Sequence, residues 1–364
     1  MLGLKSVDQI LCVVKNPYTT LPQSAFWKTG VAQENPNAIE GIYKKKFDIP
    51  PKAKIATAGS CFAQHISHHL KKNGYNVLDV EPPPPSLPKN LCQKFGYSMY
   101  SARYGNIYTV RQLMQLAQEV AGEWSPQNYI WEKDGRFFDA LRPAVEPQGL
   151  SSLNDVECHR HFHISRVKEL FKKLDVLILT LGLTEMWVDK KYGTVYPTAP
   201  GVIAGQFDED IFEFQNPNFR SINRDMREFV KVMKRIRKNK DFKMILTVSP
   251  VPLTATASGN HVLSSTVYSK SVLRAIAGYW AEKDFVDYFP SYEIVTNPRN
   301  HSTGFSDNLR SVRSETVDVV MRHFFASHSI IKSSKNSFFE TMNLDKAQDD
   351  GVECEEELLE VFGP

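Results

Sequence analysis

The stretch Lys54-Ile-Ala-Thr-Ala-Gly-Ser-Cys-Phe-Ala-Gln-His-Ile-Ser-His-His-Leu70 decides how this chain is read. Ile55 to Ala58 is a short apolar run of the kind carried by a strand covered on both faces. Gly59 and Ser60 supply a turn, and from Phe62 onward Phe62, Ile66 and Leu70 recur at helical spacing. A strand therefore stops, turns sharply and becomes a helix. Two nucleophilic side chains, Ser60 and Cys61, stand at the turn. The N–H groups that open a helix have no acceptor inside it and stabilise an anion, so nucleophile and oxyanion donor can come from the same few residues.

Outward from this elbow the same alternation returns. Tyr75 to Val80 predicts a second strand, after which Glu81-Pro-Pro-Pro-Pro-Ser-Leu-Pro88 breaks regular structure and begins a long excursion. Ile107 to Val120 predicts a helix, and Phe137 to Pro143 has no clear period. Helices are predicted at Ile164 to Leu174, Asn223 to Lys238, Tyr268 to Lys283 and Thr316 to Phe325, and strands at Val176 to Leu181, Met244 to Val248 and Val286 to Phe289. Short apolar strands alternating with helices imply an α/β fold with a mostly parallel sheet covered on both faces. Sites in such sheets lie at the carboxyl ends of the strands. Here those ends are Gly59-Ser60-Cys61, Gly182-Leu183-Thr184-Glu185, Ser249-Pro250-Val251-Pro252 and Pro290-Ser291-Tyr292-Glu293. The expected organisation is an irregular arm over 1–53, an α/β domain over 54–328 with 83–150 inserted as a cap, and a polar to acidic tail over 329–364 that ends loosely or as a short helix.

Composition excludes several classes of function. The 364 residues are 42% apolar and 23% charged, as in a soluble globular protein, and no apolar run approaches the roughly 20 residues of a membrane span. A net charge of +3 is small for this length and argues against a nucleic-acid surface. The five cysteines, Cys12, Cys61, Cys92, Cys158 and Cys354, form no CxxC pair, which points to free thiols in a reducing cytosol. Ile10 to Val14 is too short for a signal peptide, so the expected location is cytoplasmic. Cys158-His-Arg-His-Phe-His163 is rich in metal-ligating residue types but lacks the spacing of a site; it reads as a loop leading into a helix, and neither metal nor cofactor is expected.

The strand ends also carry a resemblance. Gly59-Ser-Cys-Phe-Ala63 matches the signature of the GSCFA family, and Leu179 to Glu185, Thr247 to Pro252, Tyr268 to Arg274 and Tyr288 to Ile294 resemble that family in the same order. The family is grouped with the SGNH (GDSL-like) hydrolases. The resemblance therefore implies a three-layer α/β/α sandwich and an ester hydrolase or acyltransferase, in many members acting on acylated sugars. The SGNH pattern has a serine in Gly-Asp-Ser after the first strand, a glycine in a later loop, an asparagine in Gly-x-Asn-Asp and an Asp-x-x-His near the end. Aligning the glycines puts Cys61 at the nucleophile position; a shift of one residue puts Ser60 there. The second block falls at Tyr104-Gly105-Asn106 and the third at Gly182-Leu183-Thr184-Glu185, with Thr184 in place of asparagine. The fourth falls at Asp307-Asn308-Leu309-Arg310, with Arg310 in place of histidine.

That last departure bears on the chemistry. Serine needs a base within reach, and arginine is effectively never deprotonated. A thiol is less demanding, since a helix N-terminus or a cation such as Arg310 lowers its pKa. Other candidate bases are His261, after the Ser-Pro-Val-Pro strand end, and His301 and His65. Glu185 can act as acid or base or bind a sugar hydroxyl, and Trp187 can stack on a sugar or pack in the core. Asp139 and Arg142 can pair to hold the excursion. The expected function is an acyl-ester hydrolase or O-acyltransferase working on an acylated glycan or its precursor, with an acyl donor as partner. Asp307 would orient the base, while Gly105, Asn106, Gly182 and Thr184 would sit at the oxyanion or substrate. The alternative is a catalytically inactive carbohydrate- or partner-binding module on the same fold.

Overall fold

The computed structural model describes residues 16–300, 303–328 and 355–363. Contacts divide the chain into two units, residues 1–42 and 43–364. The described part of the first holds two short helical turns, Gln23–Ala25 and Lys28–Ala32. In the second, the elements in chain order are β1 (Ile55–Gly59), α1 (Phe62–Lys72), α2 (Lys89–Cys92), α3 (Val110–Ala121), β2 (Ile130–Lys133), β3 (Arg136–Asp139), α4 (Leu153–Lys173), β4 (Val176–Leu181) and β5 (Met186–Asp189). They continue with β6 (Val195–Tyr196), β7 (Phe212–Gln215), α5 (Phe219–Ile236), β8 (Lys243–Val248), α6 (Val262–Ala281), β9 (Val286–Tyr288), α7 (Ser291–Val295) and α8 (Ser314–His328). A 3-10 segment, Glu355–Phe362, follows.

The central sheet runs β1-β4-β8-β9, and every pair in it is parallel. On the free side of β1, Ile55 makes a parallel bridge with Val77. The chain thus steps first to one side of β1 and then builds the rest of the sheet on the other. Such a reversal leaves a crevice at the carboxyl ends of the two strands that flank it, here β1 and β4. The strand predicted over Tyr75 to Val80 is reduced to that bridge. The Asp79 carboxylate accepts the Glu81 N–H at 3.2 Å, a side-chain turn that ends the pairing just before the proline run.

Side-chain alternation sorts the layers. Ala56, Ala58, Leu177, Leu179, Leu181, Met244, Leu246 and Val248 pack in one core with Leu113, Leu170, Phe229 and Trp280 of α3 to α6. The alternate residues, Ile55, Thr57, Ile178, Thr180, Ile245 and Thr247, face the opposite layer, where α1 meets α8. Helices on both faces of a mostly parallel sheet make this an α/β fold. Among the described residues no helix is long and apolar enough to cross a membrane.

Two regions depart from the sequence reading. The helix predicted from Ile164 begins at Leu153, where Ser152 caps it by accepting the Asp155 N–H at 3.2 Å. Cys158 to His163 therefore lies on α4, not in a loop. The inward stripe of α4 is Val156, Arg160, His163, Val167 and Leu170, and its two buried polar members hide the apolar period. Within the 83–150 stretch, α3 opens on a Thr109–Gln112 capping box and joins the helical layer of the core. The hairpin β2-β3 packs against the small antiparallel sheet β6-β5-β7 through Trp131, Phe138, Tyr196 and Phe212. These strands of two to four residues are too short for periodicity to register.

Candidate functional site

Gly59 ends β1 at φ +135°, and a Cβ there would collide with the backbone of Thr180 on β4. Only glycine lets the chain turn this close to its neighbour. The Ser60 N–H donates to the Thr180 carbonyl at 3.2 Å, and the next residues enter α1, with Ala63 N–H on the Ser60 carbonyl at 2.8 Å. Gly182, just past β4, forms the facing wall: a Cβ on it would lie 2.9 Å from the Ser60 Cβ and 3.0 Å from the Tyr108 carbonyl. The 104–108 segment is tied alongside, since Ile107 N–H donates to Gly59 at 2.9 Å and Tyr108 accepts from Gly182 and Leu183 at 3.2 and 3.1 Å.

These pieces line a narrow crevice, together with Ser60, Cys61, Tyr108, Gly182, Lys270 and Glu356. Ser60 is 2% exposed, and its Oγ has no hydrogen-bond partner among the described residues. A buried hydroxyl left in that state costs about 1–3 kcal/mol, so the fold retains it at a loss. Cys61 is buried and packs with Tyr108, Leu183 and Leu253 as a small apolar side chain does. Lys270, on α6 and 3% exposed, reaches the same crevice and donates from Nζ to the Gly182 carbonyl at 2.6 Å.

The model of the GSCFA family matches residues 54–324. The chain belongs to the GSCFA family. No curated protein matches it. Among solved structures, the crystal structure of a mutant acetyl esterase with an acetate ion is similar at a TM-score of 0.33 and 10% identity, covering 74% of this chain and 92% of that one. A likeness of that size says nothing about the chemistry of this chain.

In this GSCFA protein the signature Gly59 to Ala63 is the elbow itself, and the Leu179 to Glu185 stretch supplies its facing wall. Of the residues singled out in the sequence, Ser60, Cys61 and Gly182 line the crevice together. Gly105, at φ +65°, and Asn106 belong to the segment lying along Gly59, but Asn106 accepts from the Tyr100 hydroxyl and borders a neighbouring cavity with Arg142 and His163. Thr184 is held by the scaffold, its N–H on the Ser269 hydroxyl at 2.9 Å and its own hydroxyl on Asn216 at 2.6 Å. Glu185 accepts from the Thr256 hydroxyl at 2.7 Å, and burial raises its pKa above the ordinary carboxylate value. Trp187 packs edge-on against Phe207 and Phe214.

The expected base is placed elsewhere. His261 is exposed at the start of α6, where its Nδ1 caps the helix by accepting the Leu263 N–H at 3.2 Å. His65 sits on α1 with its pKa lowered to about 4 by burial, and His301 lies outside the described residues. The Asp307 carboxylate is fully exposed and meets Arg313 at 3.4 Å. Arg310 is buried and pairs with Glu356 and Glu357, each at 3.2 Å. Among the described residues lining the crevice there is no histidine, and Lys270 is the side chain with a basic nitrogen. Lys270 stands in the family-like stretch Tyr268 to Arg274, and the sequence signal for it is a lysine on the core-facing side of a helix whose other inward residues are small or apolar. No group of three or more His, Cys, Asp or Glu side chains among the described residues is gathered as a metal ion requires.

Beside the site lies a second polar region of opposite character. Glu81 accepts from His163 Nδ1 at 2.8 Å and from the Arg103 N–H at 2.6 Å. Asp139 accepts from Arg142 Nε at 2.7 Å and from Arg160 at 3.0 Å, and Arg160 also holds Glu119. Burial works to raise the Asp139 carboxyl, but Arg160 and Arg142 overcome it and hold it at about 2. Burial, reinforced by Arg142, pushes His163 down to about 4, so it is the neutral ring that donates to Glu81.

Proposed function

We propose that this GSCFA protein is an acyl-ester hydrolase or O-acyltransferase in which Ser60 is the nucleophile and Lys270 its base. The observation that carries this reading is the buried, unpartnered Ser60 hydroxyl at the carboxyl end of β1, where the sheet order reverses. Serine–lysine pairs are an established variant of the serine–histidine arrangement. In the reaction, Lys270 takes the hydroxyl proton as Ser60 Oγ attacks the ester carbonyl carbon. The N–H groups opening α1 face the negative charge that gathers on the carbonyl oxygen. The bond to the alcohol then breaks, and the alcohol leaves with the proton held by Lys270. Water or a second hydroxyl next takes the acyl group from Ser60, and the choice between them is the difference between hydrolysis and transfer. The SGNH resemblance supports an acylated glycan or its precursor as substrate, and the free cysteines support work in the cytoplasm.

One observation favours the other reading, a binding module without catalysis: Lys270 Nζ already holds the Gly182 carbonyl, as a purely structural ammonium would. Peptide-mapped mass spectrometry after exposure to an activated acyl ester separates the two. Ser60 gains the acyl group in the wild type and in Cys61→Ala, and Lys270→Met slows the gain severely. No adduct at Ser60 in the wild type sinks the enzyme reading, and an adduct on Cys61 that persists in Ser60→Ala moves the nucleophile by one residue.

A further inference from the structure

The geometry assigns a carboxylate-binding subsite to Arg310 at the edge of the elbow crevice, filled in this structure by the chain's own Glu356. Arg310 is 5% exposed, and it stands in a protein whose buried cations are otherwise tied into the core, as Arg142 and Arg160 are to Asp139. The partners of Arg310 come instead from the far end of the chain. Its Nη2 meets a Glu356 oxygen at 3.2 Å and its Nη1 meets a Glu357 oxygen at 3.2 Å, so two successive glutamates are drawn to one guanidinium. The Glu356 side chain is 13% exposed, and this residue lines the crevice together with Ser60, Cys61 and Lys270. Beyond it, Leu359 and Phe362 border a separate hollow with Pro200, Val202 and Thr254, which lays the segment along the outside of the same end of the molecule.

A guanidinium presents a planar fork that suits a carboxylate, and once desolvated it must keep an anionic partner or return to water. Glu356 offers a carboxylate on an alkyl stem. A ligand that replaces it must bring the same group, which narrows the proposed substrate to an ester carrying a free carboxylate a few bonds from the scissile carbonyl. This narrowing rests on the reading of the crevice as the site of acyl chemistry. The occupied state also accounts for the small volume of the crevice, since the C-terminal segment forms part of its wall.

Cys61 provides a reporter that needs no acyl chemistry, because it lines the same crevice. Full-length protein is alkylated with iodoacetate, which carries a carboxylate, and with neutral iodoacetamide, and each cysteine is followed by peptide mass spectrometry. Exposed Cys158 on α4 serves as the internal standard. In the double variant Glu356→Gln, Glu357→Gln, the subsite empties, and Cys61 alkylation by iodoacetate rises about fivefold or more while iodoacetamide gains less. Adding Arg310→Gln removes the preference for iodoacetate, whereas Arg310→Lys, which keeps the charge, retains it and shows that the loss is not one of folding. Cys61 rates that do not change when both glutamates are replaced overturn the proposal, and so does an equal rise with both reagents. An acyl adduct on Ser60, or its absence, leaves this measurement untouched, so the failure of one reading is distinguishable from the failure of the other.

Discussion

The elbow crevice and the buried charge cluster are both largely closed to water, yet they treat their polar atoms in opposite ways. In the cluster, Glu81, Glu119, Asp139, Arg142, Arg160 and His163 satisfy one another through short, directed bonds. In the crevice, the Ser60 hydroxyl is buried and has no partner among the described residues, walled in by two glycines whose lack of a side chain is what makes the space. A satisfied network holds structure together. An unsatisfied buried hydroxyl costs stability instead.

The largest expected effect tests the structural side of this contrast. Asp139→Ala leaves Arg142 and Arg160 buried beside an empty place, and the loss should be about 3–5 kcal/mol in a denaturant melt. A loss no larger than that of a surface substitution would mean the cluster does not hold the fold. Acid comes next. His163 is neutral in the folded chain, at about 4, against 6.5 when unfolded. The unfolded state therefore binds the extra proton between those values, and stability is full above pH 6.5 and is lost as the pH falls towards 4, by about 1.4 kcal/mol per pH unit for this one residue. His323 and His328, also buried and pushed down by burial to about 4, add to the loss in the same window. Thermal melts between pH 7 and pH 4 measure it, and a melting temperature that holds steady or climbs on acidification contradicts the assignment of neutral rings. The smallest effect belongs to the crevice, and it has the opposite sign: Ser60→Ala should raise stability by about 1 kcal/mol or somewhat more, because it removes a buried hydroxyl that makes no bond among the described residues. A destabilisation rivalling that of Asp139→Ala would erase the distinction between the two regions.

Much of the fold was legible because its signals are local. The run Ile55 to Ala58, the turn at Gly59 and the spacing of Phe62, Ile66 and Leu70 predicted β1, the elbow and α1 where they stand, and the apolar runs at Val176, Met244 and Val286 predicted the other central strands. The first half of α4 was not legible, because Arg160 and His163 occupy inward positions where periodicity expects apolar residues. The site followed the same division. Ser60, Cys61 and Gly182 could be named from their motifs, since each follows directly from a strand end.

What the sequence determined by itself was the elbow: a conformation of a few consecutive residues, set by steric freedom at glycine and by side-chain spacing along one segment. Tertiary structure alone decided which groups meet there. Lys270 comes from α6, Thr180 and Gly182 from the end of β4, and Arg310 reaches the crevice edge only through Glu356 from the far end of the chain. Hydrogen bonds and ion pairs between distant residues leave no period in the sequence, because any residue able to supply the group at the right point in space serves equally well. That is why Asp307 and His261, well placed by spacing, stand in water, while Lys270, to which spacing gave no role, lines the crevice with the serine.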